Sequence, residues 1–467
     1  MTDFRVSGEA APIESIDQLV EEFHNSAKPR ERWTVGTEYE KLAVDPRTAR
    51  AVPFSGARGI ERLLRELAER FAWQPQEENG RTIALRRGNA SITLEPGGQF
   101  ELSGEPYRTL HETREELATH IAELSEIGRE LGIAFLGLGM HPVSTLDEIE
   151  WVPKPRYAIM REYMLHVGSM GHRMMKQTAT VQANIDYADE RDAMRKLHVG
   201  MAIAPVVNAI FANSCISEGD VNGQLSFRGH IWTDTDRARC GLLPFAFRRD
   251  ATFADYVSWA LDVPLYFVLR NGSYRTEVTG VPFRRFLETG LDGEPARLDD
   301  WRLHLTTLFP EVRLKGYLEL RSADSQPPSR VLAIPALVKG IFNEPDGLDA
   351  VDDMVKRWTY DECIALYREV TRGGMRTRMR GIAVLELARE LHAIADEGLK
   401  RQEDLDAEGR DERIYLDPIR EYLAAGRSPA DVTLEEWSKG PSGRIERLVE
   451  ANAFPVHSSE NHLETLR

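Results

Sequence analysis

Apolar residues first recur with helical spacing at Ile16, Leu19, Val20 and Phe23, which predicts a helix over residues 13–26. Residues 34–44 then change to a period of two and predict a strand, followed by an amphipathic helix over 59–71. Short strands are predicted at 82–86, 91–95 and 99–102. Arg87-Gly88-Asn89 and Pro96-Gly97-Gly98 stand at their bends, the pattern of an antiparallel meander. A long amphipathic helix is predicted over Leu110–Leu131, with Gly132 just past its end. Strands follow at 134–140 and 178–187, with a helix around 156–175 between them. Residues 190–213 are apolar nearly all round and predict a buried helix. A helix over 253–270 and a strand over 313–321 come next, and beyond residue 330 the pattern is helical, with no further strand. Helices and strands that mix without alternating point to an α+β fold with a largely antiparallel sheet and a helical C-terminal section.

The acids on these strands change the picture. Glu38 and Glu40 lie two apart on one strand and share a face. Glu95 and Glu101 flank the Pro96-Gly97-Gly98 turn, and Glu319 and Arg321 repeat the two-residue spacing on a late strand. Carboxylates buried together on one sheet face would each lose several kcal/mol of solvation unless compensated. Divalent cations of the Mg²⁺ or Mn²⁺ type, which favour hard oxygen ligands, would compensate them. The alternative is an edge strand whose acids face water. Thr178, Thr180, Gln182 and Asn184 alternate along 178–186 and share one face. They either hydrogen-bond at a solvent face or line a polar cavity for an amino acid or nucleotide. No G-x-x-x-x-G-K-[ST] loop is present, so bound phosphate would be held by metal and arginine.

Composition narrows the classes. The chain has 467 residues, 42% of them hydrophobic, ample for a large core. Its net charge of -16 argues against a general affinity for nucleic acid or anionic membrane. The three cysteines, Cys215, Cys240 and Cys363, are too scattered for a disulfide scaffold or a zinc site and read as free thiols. No apolar run approaches the ~20 residues of a membrane span, and no secretory signal is visible in MTDFRVSGEA. A soluble, cytoplasmic protein is expected.

Several strings together resemble the plant-type glutamate–cysteine ligases shared by plants and many bacteria. They include GTEYEK from Gly36, LEPGGQFELSG from Leu94, FLGLGMHP from Phe135, TVQANIDY from Thr180, HIWTDTDRAR from His230 and HLTTLFPEVRLKGYLELRSAD from His304. The resemblance implies a glutamine-synthetase-like catalytic sheet, curved, antiparallel, lined with carboxylates and flanked by helices. It implies a catalytic domain over 1–344 and a helical section over 345–467 packed on it. It also implies the reaction: ATP phosphorylates the γ-carboxyl of L-glutamate, and the amine of L-cysteine displaces phosphate, with Mg²⁺ (or Mn²⁺) as cofactor. Glu38, Glu40, Glu95, Glu101 and Glu319 are then the metal-ligand candidates, with Gln182 reaching metal directly or through water. Arg321, with Glu319, becomes the catalytic candidate that neutralises the transferring phosphoryl group, or else a structural partner of the sheet acids. Arg156, Arg161 and Tyr163 fall near the expected amino-acid pocket, where Arg161 either holds the glutamate α-carboxylate or lies on a helix surface. Thr180, Gln182, Asn184, His230, Trp232, Thr233 and Arg237 are further site-lining candidates, Trp232 being equally suited to a core. The partners implied are small molecules alone, and a monomer or weak homodimer is expected. A γ-glutamyl ligase that uses another amine is the alternative.

Two departures from the family pattern matter. Where many members read GADGGPW after the late strand, this chain has Ser322-Ala323-Asp324-Ser325-Gln326-Pro327-Pro328. The plant members' regulatory cysteine pair near 274–288 is also missing. Activity is therefore expected to be insensitive to mild reductant. A several-fold rate change on adding dithiothreitol to air-oxidised protein would contradict this.

Overall fold

The computed structural model describes residues 10–454, and residues 1–9 and 455–467 lie outside that range. Its centre is a ten-stranded sheet. The strands are β1 (Val35–Val44), β2 (Gln74–Glu78), β3 (Arg81–Arg87), β4 (Ala90–Leu94), β5 (Phe100–Ser103), β6 (Ala134–Leu136), β7 (Val181–Ile185), β8 (Val312–Leu314), β9 (Leu318–Leu320) and β10 (Ala453–Phe454). The order is β8-β9-β7-β1-β5-β4-β3-β2, with β6 joining the far end of β1 and β10 pairing with β6. Every ladder of this sheet is antiparallel.

All ten residues of β1 are buried, polar and apolar alike. Both faces of the sheet are therefore covered along β1, whereas the edge strand β2 is exposed. The helices that matter below are α1 (Leu110–Leu131), α2 (Pro155–Tyr163), α3 (Gly171–Gln177), α4 (Glu190–Ile210), α5 (Phe227–Trp232), α6 (Phe253–Asp262), α7 (Ala333–Phe342), α8 (Tyr360–Gly373) and α9 (Val384–Gln402). α1 begins at a reciprocal Thr109–Glu112 cap and ends at Gly132 in the left-handed region, as its sequence requires. The all-round apolar α4 is buried along most of its length. One hydrophobic cluster joins Val181 and Ile185 of β7, Leu337 and Ile341 of α7, and Leu391 and Ala395 of α9. The C-terminal helices thus share the core of the sheet.

Four predicted elements change. The helix expected over 156–175 is two helices, α2 and α3. Between them Gly168 has φ +75°, and a Cβ there would lie 2.0 Å from the Thr235 carbonyl oxygen. The helix expected over 253–270 stops at Asp262, because Pro264 disfavours helix in the residue before it. The chain beyond forms a hairpin of Val268–Arg270 and Ser273–Arg275. The single strand expected over 313–321 is the hairpin of β8 and β9. The helical C-terminal section also carries strands, Arg378–Met379 with Ile382–Ala383, and β10.

α7 and α9 cross at two glycines. A Cβ on Gly398 would stand 1.9 Å from the Gly340 carbonyl oxygen, so the helices touch backbone to backbone. Gly398→Ala should therefore destabilise the fold by about 1–3 kcal/mol, the usual cost of overpacking. A urea midpoint equal to that of the parent would contradict this close approach.

Candidate active site

Strand register collects the polar residues on one face of the sheet. Thr93 of β4, Glu101 of β5 and Glu40 of β1 are successive cross-strand partners. One step along β1, Glu38 lies between Ser103 and Gln182. Farther on, Asn184 of β7 lies beside Glu319 of β9, which faces Arg313 of β8. Cross-strand partners share a face, so these groups form one polar surface. Glu38, Glu101 and Glu319 are 4%, 2% and 0% exposed, so each charge needs compensation from the protein or a ligand.

That compensation takes three forms. Arg313 grips Glu319 with two guanidinium nitrogens, and Lys315 and Arg321 stand 3.8 and 3.3 Å from the same carboxylate. Burial pushes the Glu319 pKa up, but these cations outweigh it and hold it well below the usual range. Glu38 accepts amide hydrogens from Gln182 at 3.3 Å and Asn184 at 3.0 Å. The Glu40 carboxylate accepts the Thr180 backbone N–H at 2.9 Å. Burial first, then Glu95 and Glu101, raise its pKa well above normal, partly opposed by Arg228. Burial and Glu101 likewise raise Glu95, against Arg156 and Lys154.

Among the described residues, no three His, Cys, Asp or Glu side chains stand together as a ready-made metal site. The five predicted acids therefore do not form a single preassembled cage. Glu319 is committed to cationic side chains and Glu38 to amides. Glu40, Glu95 and Glu101 repel one another electrostatically, a repulsion that a divalent cation bound among them would relieve.

Glu40, Glu95, Thr180, Arg228, Trp232 and Arg321 line a narrow cavity of about 60 Å³. Arg321 donates to the Gln182 side-chain oxygen at 2.5 Å and lies over the rings of Trp232 and Phe309. Thr180 donates to the Ala323 carbonyl at 2.6 Å. Arg156 stacks on Tyr157 near Glu95. Arg161 is not brought to the acids. It is exposed, with its guanidinium 5.0 Å from the Trp151 ring centroid. Five helical positions from Arg156 is about 140° around the axis, so the two arginines leave α2 in different directions. Tyr163 packs against Tyr266 and Arg239 instead of the acids. His230 stacks on Phe227, Thr233 donates to the His230 carbonyl at the end of α5, and Arg237 is exposed.

Two arginines that sequence reasoning missed belong to this face. Arg228, 3% exposed, donates to the Arg321 carbonyl at 3.0 Å and lies near Trp232. Its signal was its position four residues before Trp232, one helical turn away. Arg313 was hidden because the β8–β9 turn at residues 315–317 was read as continuous strand.

The profile of glutamate-cysteine ligase family 2 (GCS2) matches residues 34–451. The chain belongs to this family. Glutamate–cysteine ligase A, chloroplastic, of Oryza sativa subsp. indica is 44% identical over 440 residues, covering 93% of this chain and 87% of that protein. The chloroplastic glutamate–cysteine ligase of Arabidopsis thaliana is 40% identical over 440 residues, covering 93% and 82%. A crystal structure of a Francisella tularensis glutamate–cysteine ligase in complex with AMP superposes with a TM-score of 0.55 at 12% identity, covering 90% of this chain and 87% of that one. At that identity the likeness shows a shared fold. The relatives correct the expected cytoplasmic location, since they are named as chloroplastic proteins. The lack of an apolar secretory segment bears on one export route and carries no information about plastid import.

A cation bound at Glu40 and Glu95 would displace the protons that their raised pKa values favour. Raised carboxyl pKa values also make the unliganded fold lose stability as pH rises through them. Mn²⁺ should therefore raise the melting temperature more at pH 8 than at pH 6. An equal gain at both would show that these acids do not bind the ion.

Proposed function

We propose that the chain joins the γ-carboxyl of L-glutamate to the amino group of L-cysteine, with ATP and Mg²⁺ as co-substrate and cofactor, through a γ-glutamyl phosphate. The observation that carries this reading is the narrow cavity lined by Glu40 and Glu95 together with Arg228 and Arg321. Acids on one side and arginines on the other suit a phosphoryl group moving between two oxygens, where positioning and charge neutralisation dominate. The family match and relatives named glutamate–cysteine ligase support the choice of glutamate and cysteine.

Glu40, Glu95 and Glu101 would hold the divalent ion, which supplies charge neutralisation and orientation for the polyphosphate. Arg321, kept in place by Glu319 and Gln182, would meet the charge that develops on the transferring phosphoryl oxygens. Arg156, beside Glu95 and stacked on Tyr157, would hold the α-carboxylate of glutamate. Gln182 and Asn184 orient Glu38 by donating to its two oxygens. A carboxylate is a poor electrophile until one oxygen becomes a leaving group, so these residues serve activation first and amine attack second.

The altered 322–328 stretch bears on the acceptor. Its residues 322–326 are buried and tied into the fold. Asp324 accepts from the Asn213 backbone and from the Ser214 and Ser226 hydroxyls, and Ser325 donates to the Glu40 carbonyl. The close approach is provided from the other side, where Cβ atoms on Gly137 and Gly139 would collide with Gln326 and Asp324. The stretch thus supports the acidic strand, and nothing in it narrows the amine.

Phosphate release with ATP, Mg²⁺ and glutamate, measured over a panel of amines, tests substrate and reaction together. Cysteine should give the highest rate. A higher rate with an alkylamine or another amino acid would replace the acceptor assignment.

A further inference from the structure

Arg330, on the short helix Pro328–Val331, is half-buried and lines two cavities, one of about 480 Å³ and one of about 40 Å³. Tyr422 lines both as well. Neutral groups hold this guanidinium. Its Nε donates to the Gln326 side-chain oxygen at 3.2 Å, and one Nη donates to the Tyr422 hydroxyl at 3.0 Å. Among the described residues no carboxylate pairs with it, and burial lowers its pKa, opposed by Tyr422. A guanidinium deprived of both water and a counter-ion is costly, so this position calls for an anion.

The surroundings add to that demand. Arg114 of α1 and Arg410 line the larger cavity, together with Ser329. Arg444 and Arg447, three residues apart on the helix Arg444–Asn452, line the smaller one. The buried Nε of each has no hydrogen-bond partner among the described residues. Arginines thus converge here in a chain whose net charge is -16. The acids nearby are mostly engaged. Asp417 pairs with Arg420, and Glu436 with Lys439 and Arg447, while Glu421 stands exposed at the larger cavity. Arg410 is itself paired with Asp406, which leaves Arg330 as the anchor.

We propose that these cavities bind a phosphate dianion, free or carried on a small organic group, with Arg330 gripping the phosphate. A planar guanidinium matches phosphate oxygens in pairs, and a dianion answers more than one arginine at once. The larger cavity falls within the usual ~300–1,000 Å³ of small-molecule sites, which leaves room for an organic group beside the phosphate. Neither cavity shares a lining residue with the one that holds Glu40 and Arg321. The site is nevertheless tied to that face. Gln326, which accepts from Arg330, ends the buried 322–326 segment, whose Ser325 donates to the Glu40 carbonyl.

Calorimetric titration of the full chain with glycerol 2-phosphate, and separately with inorganic phosphate, both in physiological salt, tests this without requiring turnover. Tighter binding of the monoester would identify an organic phosphate as the occupant, and equal affinities would identify free phosphate. Arg330→Met and Arg114→Ala should each weaken binding about tenfold, the scale of one charged hydrogen bond. The KM for glutamate in Arg114→Ala should stay within twofold of the parent value. Affinity for both probes unchanged in the two variants would overturn the site. So would a glutamate KM that rises in step with the loss of phosphate binding, which would place the anion on the catalytic face. Should Arg330→Met not fold, Arg410→Ala together with Arg114→Ala decides by the same two measurements.

Discussion

The structure turns on carboxylates kept out of water on the face of a β-sheet. Burying such groups is tolerable only where cations, hydrogen-bond donors or a bound ion answer them. Here Arg313 and its neighbours answer Glu319, amides answer Glu38, and Glu40 with Glu95 retains an unmet demand. That graded compensation separates a fixed structural charge from a charge available to a ligand. It also explains the covering helices. α5 brings Arg228 over the acids, and α2 and α3 close the cavity with Met160, Met174 and Met175.

The apolar side of the sheet supports this arrangement without taking part in it. β7 carries Gln182 and Asn184 on the polar face, while Val181, Ala183 and Ile185 enter the main core. The C-terminal helices fill that core, with α7 and α9 in backbone contact at Gly340 and Gly398. Position 182 is therefore set by packing against helices that begin at Ala333, far along the chain. The 322–326 segment joins the two sides, since Asp324 gathers donors from Asn213, Ser214 and Ser226 and Ser325 reaches back to β1.

Much of this was legible wherever a period of two settles direction. Glu38 with Glu40, Glu319 with Arg321, and Thr180 with Gln182 and Asn184 fall on the shared face that their spacing implies. Helical phase was less forgiving. Arg156 and Arg161 look alike in sequence, yet one lies near Glu95 and the other covers Trp151. The β8–β9 hairpin was missed because its turn is as basic and apolar as its strands, and Arg313 was missed with it. The arginine-lined cavity beside Tyr422 had no local signature. Its walls come from segments near residues 114, 330, 410 and 420, and only tertiary packing assembles them.

The pairing of Arg313 with Glu319 also bears on how the chain finds its register. Sliding β9 by one residue against β8 would send Glu319 and Arg321 into the apolar layer. Sliding it by two restores the facing but sets Arg313 opposite Arg321, two guanidinium groups with no acid between them. Apolar pattern alone cannot tell the native register from the two-residue slip, because Leu314, Leu318 and Leu320 are interchangeable in that respect. The charge pattern can, so the same residues that prepare the site for chemistry discriminate against a misaligned sheet during folding.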